Sequence, residues 1–152
     1  MAFSNQSDAG RSSLNRYLRA GLFAGLIAAA INILIYLALV LFGGHDWAVM
    51  IVLSILLASL LPNLIAALAY FLLSKYTKFA FPVLVIGVVG FVLISILPHL
   101  GVGPAPSPAL SQLPAGFELI TVPLHIIFGL SAILIMPRLL SKNTNQTEQT
   151  IN

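Results

Sequence analysis

Four apolar blocks, each about as long as a bilayer crossing, restrict this chain to one kind of fold. They run from Ala20 to Phe42, from about Trp47 to Lys75, from Phe79 to Leu97 and from Gly116 to Pro137. The hydrocarbon core of a membrane is about 30 Å thick and holds no water for backbone N–H and C=O groups. A lone segment satisfies those groups there only by coiling into a helix. About 20 residues at 1.5 Å each complete the crossing. The composition agrees, with 59% hydrophobic and 7% charged residues, where soluble domains carry about 25% charged. The reading is an all-α integral membrane four-helix bundle. A transmembrane domain over 16–140 holds spans at about 17–42, 47–74, 79–97 and 116–137, between polar, disordered tails at 1–15 and 141–152.

Arg16 and Arg19 precede the first block in the manner of a signal peptide. The apolar region of a signal is about 7–15 residues, and this block is longer. It is expected to stay as a first helix. Gly43-Gly44-His45-Asp46 then makes a short turn, with Asp46 placed to cap the second helix by accepting a backbone N–H. Pro62 lies mid-helix, where it has no N–H for the carbonyl of Ala58 and predicts a kink. Pro82 falls in a first turn, where a missing N–H costs little, and Pro98 ends the third helix. Five of the nine prolines lie between 98 and 115, which predicts an extended loop. Pro137 stops the fourth helix.

Charge sets the orientation. Arg11, Arg16, Arg19, Lys75, Lys78, Arg138 and Lys142 are all the basic residues, and none lies in the 43–46 turn or the 99–115 loop. Four spans place all seven on one side, which the positive-inside rule makes cytoplasmic. Both termini are then cytoplasmic in the cell membrane, and the proline-rich loop faces outward. Tyr17, Trp47 and Tyr76 fall at the interfaces. The same rule accounts for the net charge of +3, so the expected partner is the lipid bilayer and not nucleic acid. The chain has no cysteine, which excludes disulfides, thiolate catalysis and cysteine-held metal clusters.

Against so much hydrocarbon the polar residues stand out. Gly21 and Gly25 form a G-x-x-x-G face that lets another helix approach closely, and Asn32 shares that face. Ser59 and Asn63 share a face of the second helix. On the fourth, Glu118, Thr121, His125 and Gly129 fall within about 80° of one another at 3.6 residues per turn. Asn32, Asn63 and His125 each sit near the centre of a span, which predicts one midplane cluster. Glu118, about 10 Å further out, joins His99 and Asp46 at an outer mouth. Asparagines in spans are ordinarily hydrogen-bond glue between helices, and a first-turn Glu118 is favoured by the helix dipole. His125 has no such ordinary account, because an ionisable side chain inside a span is a functional candidate by default.

The stretches RAGLFAGLIAAAINILIY, LLPNLIAALAYFLL, SILPH and PLHIIFGLSAILIMPRL cover most of 16–140. They resemble a family of small bacterial four-span membrane proteins that share a domain of unknown function. The resemblance implies four spans and a bacterial cell membrane, and no activity. No nucleophile–base pair, phosphate loop or paired carboxylates appear, so an enzyme is not expected and no cofactor is assigned. The favoured function is helix association, as an accessory subunit of a larger membrane complex or as a homo-oligomer. One alternative is a small-molecule or proton-binding carrier or sensor with a polar seam around His125. The other is a metal-dependent membrane enzyme using His125, Glu118 and His99, although seven residues separate the first two where helical ligand pairs sit three or four apart.

Overall fold

The computed structural model describes residues 4–44, 48–100 and 117–141; for 4–13, 99–100 and 117–120 only the backbone is described. Every regular element among them is helical: α1 (Ser4–Gly43), α2 (Val49–Tyr76), α3 (Ala80–Ile96) and α4 (Phe117–Leu130). A 3₁₀ turn, Leu97–Leu100, follows α3. A π-helical turn, Ser131–Ile135, follows α4, and the helix then resumes to Ser141. Three stretches are long and apolar enough to cross a membrane, namely Leu14–Gly43, Val49–Tyr76 and Thr121–Ser141; α3 is a shorter apolar helix of 17 residues.

The helix ends follow local chemistry. Gly44, at φ 68°, takes the left-handed conformation that closes α1, which costs a residue without Cβ little. α3 tightens into its 3₁₀ turn one residue before Pro98, whose ring disfavours α geometry in the residue before it. Two expectations need correction. The polar start was expected to be disordered, yet α1 begins at Ser4. Adding turns to a formed helix avoids the cost of nucleation, and Ser, Asn and Gln tolerate that extension. Asp46 was expected to cap α2, but the cap position belongs to Ala48. The Ala48 N–H donates instead to the Tyr36 hydroxyl at 2.8 Å, while Asp46 lies outside the described residues.

α1 and α2 form the centre. A Cβ built on Gly21 would lie 2.6 Å from Ala67 Cβ and 2.8 Å from the Asn63 carbonyl oxygen. One on Gly25 would lie 3.1 Å from the Ser59 carbonyl oxygen. Both glycines are therefore used inside the chain, to bring α1 onto the backbone of α2. Apolar packing divides into two layers. One gathers Ala24, Ala67, Leu84, Phe128 and Met136; the other gathers Tyr36, Ile51, Ile55 and Leu124. α3 buries only Ala80, Leu84 and Val88. The outward surface is apolar on every helix, with Leu34, Phe42, Met50, Ile86 and Ile94 all exposed. Buried asparagine and serine under an apolar exterior reverse the soluble pattern and match a chain solvated by lipid.

Near the ends that carry the basic residues, aromatic rings pack together. Tyr17 meets Tyr70 and Phe71 edge-on at centroid distances of 5.4 and 5.5 Å. Its hydroxyl donates to Ser74 Oγ at 3.2 Å, and Arg16 Nη2 donates to the Leu140 carbonyl at 3.0 Å. α1 is thereby tied to α2 and to the last turn of the fourth helix. Tyrosine at such a level is the anchor expected of a membrane interface.

Candidate functional site

Between the two apolar layers lies a polar chain through three helices. Asn32 Nδ2 on α1 donates to Ser59 Oγ on α2 at 3.3 Å. Asn63 Nδ2 donates to the Ser59 carbonyl at 2.8 Å. Its Oδ1 faces the Ser131 hydroxyl at 3.0 Å, across in the π turn of the fourth helix. That hydroxyl also lies 2.8 Å from the Phe128 carbonyl, and its single proton serves one acceptor at a time. The orientation of the Asn63 amide follows from its partners, since a carbonyl oxygen can only accept. Asn32, Ser59, Asn63 and Ser131 are each at most 2% exposed.

Position along the helices explains the arrangement. Gly21 and Gly25 draw α1 so close to Ser59 and Asn63 that short side chains can bridge the gap. The bond from Asn63 also supplies a donor to a carbonyl beside the Pro62 break, where backbone bonding is weakest. Ser131 opens the π turn of the fourth helix. Met136 N–H bonds to the Ser131 carbonyl, five residues back, so this stretch is one residue wider per turn than an α-helix. The sequence reading found Asn32, Ser59 and Asn63 but missed Ser131, because nothing in SAILI announces a π turn.

His125 is not part of this chain. Its Nδ1 lies 2.8 Å from the Thr121 carbonyl, one turn back, and its ring is 6.4 Å from that of Phe91 on α3. A carbonyl accepts, so Nδ1 carries the proton and Nε2 keeps the lone pair. The expected Asn32/Asn63/His125 cluster is therefore corrected to Asn32/Ser59/Asn63/Ser131. On an ideal helix His125 and Ser131 are about 120° apart, so they cannot face the same neighbour. Gly129, on the His125 face, meets α3, where its Cβ would lie 2.9 Å from Val92 Cγ2.

The outer-mouth residues are only partly visible. Glu118 lies in the first turn of α4, as expected, and His99 lies in the 3₁₀ turn after α3. Their side chains lie outside the described residues, as does all of Asp46. Among the described residues no three His, Cys, Asp or Glu side chains group as a metal site would require.

A cavity lies elsewhere among the described residues. A groove of about 370 Å³ opens between α2 and α3, from Leu73 and Val83 at one end to Pro62, Phe91 and Phe128 at the other. Every lining residue is apolar, and Asn32, Asn63 and His125 are not among them. Gly87 widens it, since a Cβ there would meet nothing within 4 Å.

Fold and site together define an all-helical chain with three helices long and apolar enough to cross a membrane, locked by an internal polar layer. The chain matches no protein-family model, no curated protein and no solved structure.

Proposed function

We propose that the chain is a four-span protein of the cell membrane, with both termini cytoplasmic, that acts by association within the bilayer and not by catalysis. The confinement of all seven Lys and Arg residues to the two tails and the 75–78 link supports the orientation. α3 with its 3₁₀ turn covers Ala80–Leu100. At about 1.5 and 2 Å per residue that is roughly 33 Å, enough for a fourth crossing. The resemblance to bacterial four-span proteins points the same way.

One observation carries the association reading. The glycine face of α1 is already filled by α2, so the small-residue surface left for another helix is on α3. There Gly90 lies between the exposed Ile86 and Ile94, at i, i+4 and i+8, with nothing within 4 Å of where its Cβ would be. Small residues flanked by large ones are how helices approach in lipid, where no hydrophobic force drives them together. The partner is a second copy of the chain or a subunit of a larger complex.

The absence of cysteine makes the test direct. Ile86→Cys and Ile94→Cys should give cross-linked species in intact membranes, whereas Leu34→Cys on the outer face of α1 should not. Equal yields at all three positions, or none on α3, would reject the reading. A carrier or sensor role for His125 is the second reading, favoured by the lone pair that its Thr121 bond leaves on Nε2. It requires His125→Ala to abolish a ligand- or pH-dependent signal in a protein that stays folded.

A further inference from the structure

We infer that the groove between α2 and α3 is a binding site for one anionic phospholipid, with an acyl chain in the groove and the phosphate at the 76–79 link. The inference rests on the bilayer placement proposed above, and not on association through α3.

Three independent features meet at this place. The first is depth. Along α2 the groove extends from Leu73 to Pro62, 11 residues or about 16 Å at 1.5 Å per residue. That is half of a hydrocarbon core about 30 Å thick, the depth of one leaflet, and it starts three residues from the end of α2 at Tyr76. The second is lining. A groove with only apolar walls that opens sideways suits a hydrocarbon chain and offers nothing to hold a polar solute.

The third is charge. The groove's shallow end adjoins the last turn of α2, which carries Lys75, and the link to α3, which carries Lys78. Lys75 is occupied, its Nζ lying 4.4 Å from the centre of the Phe71 ring. Lys78 is exposed. The link also leads into the start of α3, where Phe79 at the cap position gives no side-chain hydrogen bond to the first turn. The positive end of that helix's dipole favours a phosphate. Pro82 has no N–H to add. An exposed cation, a helix start and a leaflet-deep apolar slot thus follow one another as the headgroup and chain of a lipid require, in a region where basic residues attract anionic lipids.

The full chain in a neutral detergent can be examined by native mass spectrometry with phosphatidylglycerol, phosphatidylcholine and free glycerol 3-phosphate as probes. One phosphatidylglycerol should stay bound and raise the melting temperature, with the other two retained at least tenfold less. Lys78→Gln should weaken phosphatidylglycerol about tenfold, the scale of one charge-assisted hydrogen bond. Gly87→Phe fills the groove at a position with free space, so it should remove lipid while leaving the helical circular dichroism unchanged. Equal retention of the two lipids, no effect of Lys78→Gln, retention of glycerol 3-phosphate alone, or a second copy filling the groove in place of lipid would each overturn the inference. Labelling of single cysteines in the tails reports the bilayer orientation separately, so its failure is distinguishable from failure of the lipid site.

Discussion

Two helices of this chain, α2 and α4, contain a proline beyond the first turn, and each turns a polar side chain back onto its own backbone close behind it. In α2, Asn63 follows Pro62 and donates to the Ser59 carbonyl. In α4, His125 follows Pro123 and bonds to the Thr121 carbonyl. Local chemistry is the same in both: a side chain just past the proline bonds the carbonyl one turn behind itself, next to the Ala58 or Leu119 carbonyl that the proline leaves without its helical donor. The surroundings differ. Asn63 is fully buried and its amide oxygen accepts from Ser131 on the fourth helix, whereas His125 is half-buried against Phe91. A polar residue in a span thus has a local role, set by its own helix, and a tertiary role that its neighbours grant or withhold. Asn63 has both, and His125 has the local one and a lone pair left over.

The largest expected effect comes from the contact that brings α1 to Asn63. Gly21→Leu places atoms into the Asn63 carbonyl and Ala67, so α1 must lift and the Asn32–Ser59 bond must break. A loss of about 3 kcal/mol is expected in reversible unfolding from mixed micelles. A loss below about 1 kcal/mol would mean that α1 does not rest on that carbonyl.

Asn63→Leu removes two buried hydrogen bonds and should cost about 2 kcal/mol, whereas His125→Leu removes one bond within its own helix and should cost about 0.5 kcal/mol. Equal costs would erase the distinction between the two sites. The smallest effect separates tertiary from local bonding. Ser131→Ala should cost about 1 kcal/mol and, combined with Asn63→Leu in a double-mutant cycle, show a coupling of about 0.6 kcal/mol. The same cycle between His125 and Asn63 should show none.

Much of the fold was legible because helix formation in lipid is a local matter. Apolar length, Gly44 and Pro98 act on their own segments, so the sequence places the elements to within a few residues, the start of α1 excepted. The Gly21/Gly25 face was legible too, since a row of small residues beside Asn32 can only face protein. Its partner was not, because G-x-x-x-G does not say whether the approaching helix belongs to the same chain. The α1 start and the α2 cap were misread where the deciding factor was an existing helix to extend or a tyrosine 12 residues away.

The sequence by itself determined an all-helical chain with apolar, membrane-length helices and a few polar residues at mid-helix depth. Tertiary structure alone decided which of those residues meet. Depth along a helix follows from counting residues, but the direction of a side chain depends on rotation about the axis, and the π turn at Ser131–Ile135 changes that rotation. Rotation along the α-helix before that turn set Ser131, and not His125, toward Asn63. The groove beside α3 is likewise invisible to counting, because it exists only where two helices fail to fill the space between them.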